Sequence, residues 1–331
     1  MDKPKVLITR QLLPEVLDLI SESTDMEVWP DAYPPTAEQL RELLADKEGV
    51  LTTIMDRIDA EALDSSPNLK VVSQLGVGVD HIDIVEATKR NILVGNTPGV
   101  LAKATADIAF ALLMSAARRV SEGDQWVREK QWELAFHPLH WLGVDVHSTT
   151  LGIVGLGETG LEMVKRALGF DMEVIYFSRT RKQDLEAQYG IQYVSFEELL
   201  RKSDFVSLHV AYTPDTHFLV GKAQLEIMKE TAILINAARG PVVDPEALYE
   251  ALNSRTIYAA GLDVTYPEPI LPTDPLLTLK NIVITPHMGS SAISTRRNTM
   301  YMAVQNMMAG LNRQQLKACV NPSVYSELGI S

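Results

Sequence analysis

The stretch LGIVGLGETG, residues 151–160, decides the fold. An apolar run, Leu151–Val154, meets Gly155, Gly157 and Gly160 in the spacing G-x-G-x-x-G, and the amphipathic pattern LEMVKRALGF (161–170) follows directly. The first glycine of such a strand–turn–helix allows a tight turn. The second admits a pyrophosphate close to the backbone, and the third lets helix and strand pack closely. The free N–H groups of the helix N-terminus then face the phosphates. Leu156, Glu158 and Thr159 complete the predicted dinucleotide-binding turn. Glu158 is out of character there: the helix dipole favours a carboxylate in the first turn, but a neighbouring pyrophosphate does not.

The next strand, EVIYF (173–177), runs into Ser178, Arg179, Arg181 and Lys182, where a carboxylate would ordinarily accept hydrogen bonds from the adenine ribose. A hydroxyl beside guanidinium forks suits a phosphomonoester instead, because that group is dianionic and rich in acceptor oxygens. Ser178, Arg179 and Arg181 therefore predict NADP(H), with NADPH preferred over NADH.

Outward from this unit, short β-branched runs alternate with helix-like segments over the whole chain. KVLIT (5–9), GVLTT (49–53), KVVSQL (70–75) and ILVGN (92–96) form one series, and FVSLHV, AILINA, IYAAGLDV and NIVITP continue the series that starts at 149. Such alternation predicts α/β architecture with parallel sheets. Between the series lie a long helical pattern (100–120) and a less regular, Trp-bearing segment (124–146). A last helical pattern, 291–311, has no sheet of its own and is assigned to the first series. The expected fold is two doubly wound parallel-sheet domains: a Rossmann cofactor domain, 100–289, and a flavodoxin-like substrate domain made of 1–99 and 290–331. The chain crosses between them twice.

Composition excludes several classes. A net charge of −13 over 331 residues opposes nucleic-acid binding, which needs a basic face. A single cysteine, Cys319, rules out a disulfide framework and a thiolate cluster; no metal is expected. The apolar run IAFALLMSAA falls well short of the roughly 20 residues of a membrane span. The expected address is the cytoplasm.

Three more strand ends carry chemistry. Arg239 follows AILINA, Asp263 ends a strand with Glu268 five residues on, and His287 follows NIVITP. Ligands of open α/β sheets gather at the carboxyl ends of strands. An imidazole oriented by a carboxylate can protonate a carbonyl oxygen as hydride reaches its carbon, and an arginine can hold the acid group.

GVGVDHID (76–83), TADIAFALLMSAARR (105–119), GIVGLGETG, INAARGPVVD, GLDVTYPEP and TPHMGSS together resemble the NAD(P)-dependent D-2-hydroxyacid dehydrogenases over nearly the whole chain. Within that family the stretch from Gly261 to Met300 is most similar to the glyoxylate and hydroxypyruvate reductases of the animal type. The resemblance implies a catalytic triad of Arg239, Glu268 and His287, with His287 as proton donor. It implies that backbone N–H groups at Val77 and Gly78 hold the substrate carboxylate, that Ser290 lies near the substrate, and that Thr105, Ala237 and Asp263 line the cofactor. It further implies a homodimer in which Trp141 reaches the neighbouring subunit's pocket. The expected reaction is NADPH-dependent reduction of hydroxypyruvate to D-glycerate and of glyoxylate to glycolate. The alternatives are a phosphoglycerate dehydrogenase, a branched 2-keto acid reductase, or a dinucleotide-sensing binding protein related to transcriptional corepressors.

Overall fold

Twelve strands among the described residues, 3–330 of a computed structural model, form two all-parallel sheets. The first contains β1 (Lys5–Ile8), β2 (Asp25–Val28), β3 (Gly49–Thr52), β4 (Val71–Gln74) and β5 (Leu93–Gly95), in the order β2-β1-β3-β4-β5. The second contains β6 (Thr150–Val154), β7 (Glu173–Phe177), β8 (Gln192–Tyr193), β9 (Phe205–Leu208), β10 (Ile233–Asn236), β11 (Ala259–Leu262) and β12 (Ile282–Ile284), in the order β12-β11-β10-β9-β6-β7-β8. Both orders reverse direction once, as doubly wound sheets do, and the second reverses between β6 and β9. The fold class read from the sequence is the one observed.

The chain divides into two units: residues up to Leu101 together with those from Ser291 onward, and Ala102–Ser290. Each sheet is covered on both faces, which is why its central strands β3, β4, β9, β10 and β11 are buried at every position. In the first unit Val6, Ile8, Leu51, Val71 and Leu93 face one core, while Leu7, Val50, Val72 and Val94 face the other. The helix Ile293–Leu311 belongs to the first of these layers through Ala303, Val304 and Met307. Ser73 also donates to its Ala303 carbonyl at 2.7 Å. Gly310 is needed for that packing, since a β-carbon there would lie 2.5 Å from Val71.

The second unit repeats the two-layer scheme. Leu151, Ile153, Tyr176, Phe205 and Ile235 point to one side; Val154, Ile175, Val206 and Leu234 point to the other. The helix Glu158–Leu168 buries Gly160, Met163, Val164 and Ala167, a spacing that gives one apolar stripe. The helix Ala102–Arg118 packs close to β11: a β-carbon at Gly261 would come within 2.9 Å of Leu112.

Two local features depart from the sequence reading. The strand β2 carries no apolar run; its residues alternate between exposed and half-buried at the sheet edge. The segment after the long helix is not irregular from the start. Arg119 adopts a left-handed backbone (φ 56°) that ends one helix, and a second helix, Val120–Arg128, follows without a buried residue. Among the described residues no helix is long and apolar enough to cross a membrane.

Candidate active site

Because all strands of the second sheet run parallel, the segments after β6, β7, β9, β10, β11 and β12 emerge on one edge. The glycine turn after β6 lies at the reversal of strand order. Gly155 has φ 99°, and a β-carbon there would come within 2.8 Å of the His209 and Val210 backbone after β9. Gly160 fits because a β-carbon would lie 2.3 Å from the Gly155 carbonyl. Gly157 differs: a β-carbon there would meet nothing within 4 Å. No neighbour in the protein explains that glycine, whereas a pyrophosphate laid on the turn does. The first N–H groups of the helix Glu158–Leu168 are left for such a ligand by helix geometry. The residues present therefore fit a dinucleotide. Leu156 is buried beneath the turn, Thr159 is half-buried, and Glu158 is exposed at the first helical position.

His209 lies behind this turn, half-buried, with Nε2 2.8 Å from the Ser207 hydroxyl. Burial pushes its imidazole down to about 4. The unfolded chain, with the ordinary value near 6.5, binds the proton first. The stability contributed is therefore complete above about pH 6.5 and is lost as pH falls towards 4, by about 3 kcal/mol in all. The urea midpoint is expected to drop steeply between pH 7 and 4.5, and His209→Gln to flatten that slope by close to one proton. An unaltered slope would remove His209 from the account.

Arg239 begins a short turn after β10. Asn236, buried at the end of that strand, fixes the turn twice: its Nδ2 donates to the Arg239 carbonyl at 2.9 Å, and its Oδ1 accepts from Ala238 N–H at 3.1 Å. Gly240 lets the turn meet the segment after β11, since a β-carbon there would sit 1.8 Å from the Thr265 carbonyl. Ala237 is half-buried on the same turn.

Asp263, 2% exposed, is saturated with donors. The Thr285 hydroxyl donates at 2.6 Å, Met288 N–H at 2.9 Å and Gly289 N–H at 2.7 Å. Its backbone carbonyl also accepts from His287 N–H at 2.9 Å. Asp263 thus shapes the loop that presents His287, whose backbone is left-handed at φ 50°. Such backbone is uncommon outside glycine and needs surroundings that enforce it. His287 Nδ1 contacts Glu268 Oε1 directly, both side chains being about one-third exposed. That contact leaves Nε2 as the ring nitrogen available to a ligand. Thr105 lies beside the same loop, 3.2 Å from where a Gly289 β-carbon would be, and Ser290 follows half-buried.

In the first unit, the turn after β4 is held by its carbonyls: Thr97 N–H donates to Gly76 at 2.9 Å and Asn96 Nδ2 to Val77 at 2.8 Å. No group among the described residues accepts the backbone N–H of Val77 or Gly78, and Val77 is 46% exposed. Two adjacent free donors in a turn form an anion-binding concavity. Gln74 (0% exposed) and the Asp56 carboxylate behind the neighbouring strand ends are buried polar groups with no sequence signal beyond their residue type.

Three residues singled out in the sequence make contacts within the chain itself. Arg181 is bound to Glu186, whereas Arg179 is exposed and Ser178 donates to the Thr180 carbonyl at 2.7 Å. Trp141, with φ 59°, packs under the Arg119 guanidinium (4.8 Å to the ring centroid) and edge-on to Trp126.

Residues 110–289 match the D-isomer specific 2-hydroxyacid dehydrogenase NAD-binding domain. A glyoxylate reductase of Korarchaeum cryptofilum is 48% identical over 93% of this chain and 92% of its own, and one of Thermococcus litoralis is 46% identical over 93% of both. A crystal structure of a Thermus thermophilus protein superposes with a TM-score of 0.90 at 44% identity, covering 96% of this chain and 99% of that one. The NADPH-dependent glyoxylate/hydroxypyruvate reductase of Sinorhizobium meliloti, crystallised with NADP and malonate, gives 0.84 at 30% identity over 96% and 97%. The chain belongs to the D-isomer specific 2-hydroxyacid dehydrogenases, a family of oxidoreductases.

Proposed function

We propose that the protein is an NADPH-preferring reductase of small 2-keto acids, taking glyoxylate to glycolate and hydroxypyruvate to D-glycerate. The carrying observation is the His287 Nδ1–Glu268 Oε1 contact on the sheet edge that also bears the glycine turn. The names of the archaeal relatives and of the Sinorhizobium meliloti enzyme support the substrate class.

When bound, the reduced nicotinamide supplies a hydride to the carbonyl carbon. Charge then develops on the carbonyl oxygen, and His287 Nε2–H delivers the proton that makes it a hydroxyl. Glu268, on the opposite ring nitrogen, holds the imidazole in that orientation. Arg239 pairs with the substrate carboxylate and polarises the carbonyl. The free N–H groups of Val77 and Gly78 add donors to the carboxylate, with Ser290 beside the substrate. Residues 102–290 act as the cofactor unit: Gly155, Leu156, Gly157, Thr159 and Gly160 cradle the pyrophosphate, Thr105, Ala237 and Asp263 border the nicotinamide end, and Ser178 with Arg179 meets the 2′-phosphate. The remaining unit acts on the substrate. Two copies pair through the segment after the long helix, which exposes Trp126, Val127, Trp132, Leu134, Phe136 and Leu139; so large an apolar surface calls for cover. The enzyme works in the cytoplasm, which its one free thiol, Cys319, suits.

Initial rates of cofactor oxidation test this reading, with NADPH and NADH in parallel against glyoxylate, hydroxypyruvate and a bulkier 2-keto acid. Fast turnover of the two small acids with at least about tenfold preference for NADPH is expected, as one charge-assisted contact to phosphate provides. Preference for NADH would make the basic turn an ordinary surface feature. No turnover with any acid would favour a dinucleotide-sensing role.

A further inference from the structure

The two arginines after β7 do not stand alike. Arg181 reaches Glu186 with its guanidinium fork, Nε at 2.9 Å from Oε1 and Nη2 at 2.7 Å from Oε2. The same guanidinium lies 5.8 Å from the centroid of the Tyr193 ring. Glu186 is itself anchored from below: the hydroxyl of Tyr176, whose ring is fully buried, donates to Oε1 at 2.7 Å. That hydroxyl in turn accepts from Lys182 N–H at 2.7 Å, so the clamp also fixes the path of the turn. The Glu186 side chain is only 15% exposed, against 54% for Arg181. Both groups are held in their charged forms, the Glu186 carboxyl shifted below its usual range by Arg181 and then Tyr176. Arg179, two residues earlier, is exposed, and no side-chain partner for it exists among the described residues.

A guanidinium fork satisfies one bidentate anion at a time. A phosphate competing for Arg181 would have to displace a carboxylate that is already aligned, and would leave that carboxylate as a like charge beside it. We propose that Glu186 sets how strongly the phosphorylated dinucleotide is preferred, by withholding Arg181: an internal carboxylate occupies the fork that the 2′-phosphate would otherwise take, and Arg179 alone meets the phosphate. Glu186 is thus a specificity-determining residue that touches no ligand. The inference rests on the reading that this turn faces the adenine ribose.

Glu186→Gln is the direct test, because a glutamine keeps the shape and still accepts from the Tyr176 hydroxyl while losing the charge that holds Arg181. Dissociation constants for NADPH and NADH, read from nicotinamide fluorescence on the whole protein, should change selectively. NADPH should bind about tenfold more tightly, the worth of one added charge-assisted contact, and NADH within twofold of the wild type. Adding Arg181→Met to Glu186→Gln should abolish the gain and return NADPH affinity to the wild-type value. Arg179→Ala is the control, expected to weaken NADPH far more than NADH.

If Glu186→Gln brings no gain while Arg179→Ala is selective, the proposal is overturned and the reading of the turn stands. A loss in the double variant as large as that of Arg179→Ala has the same consequence, since Arg181 would already be on the phosphate. If Arg179→Ala weakens both cofactors equally, the turn does not meet the 2′-phosphate, and both fall together.

Discussion

Replacing His287 by Gln is expected to lower turnover of a 2-keto acid by about 10²–10⁴-fold, the usual worth of a positioned general acid. On the barrier this amounts to roughly 3–5 kcal/mol. Glutamine can keep a hydrogen bond to Glu268, but its amide cannot release a proton to an alkoxide. The loss should fall on turnover. Cofactor affinity should stay near the wild-type value, because the glycine turn that holds the pyrophosphate lies after a different strand. One complication is built into the backbone: position 287 is left-handed, and part of any defect could come from a loop that no longer closes on Asp263. His287→Asn separates the two causes, since Asn tolerates that backbone well and is equally unable to act as an acid. Both variants should be similarly slow, with unaltered thermal stability. Turnover within a few-fold of the wild type in either would remove His287 from the proton transfer.

The features legible in sequence are those that depend on local spacing. GLGETG between an apolar strand and an amphipathic helix has few structural solutions, and the alternation of strands and helices fixed the parallel sheets around it. Residues just after strands, such as Arg239, Asp263 and His287, could be placed on one edge because parallel strands share it. Other features depend on tertiary context. The edge strand β2 is half solvated and carries no apolar run, so nothing in DMEV announces it. The helix Val120–Arg128 buries nothing of its own and begins at a left-handed arginine, a conformation that residue type does not signal. The same limit separates Arg179 from Arg181. In sequence they are equivalent cations two residues apart. Only the fold brings Glu186 and the Tyr176 hydroxyl against one of them. Likewise Asp263 reads as a ligand contact, yet it also accepts three hydrogen bonds that build the His287 loop.

Arg239→Ala should be the second large effect, and its signature should differ from that of His287. Arg239 Nη1 donates to the Ala238 carbonyl at 2.9 Å, which uses one of the five guanidinium donors. Two charge-assisted hydrogen bonds to a carboxylate contribute about 1.5–3 kcal/mol each. Their removal is expected to cost roughly 10³-fold in kcat/KM, by the relation of about 1.4 kcal/mol per decade. Much of this should appear in KM, since the carboxylate is bound in the ground state, and the rest in kcat, since the same cation polarises the carbonyl as charge develops. Arg239→Lys should recover only part of the loss, because an ammonium keeps the charge but not the planar fork. Added guanidinium ion should partly restore the Ala variant, which a collapsed loop would not allow. The loop itself should survive either substitution: Asn236 holds it through backbone atoms, and Gly240 sets its approach to Thr265, neither of which involves the side chain at 239. A KM for glyoxylate unchanged in Arg239→Ala would mean that the substrate carboxylate is held without this residue.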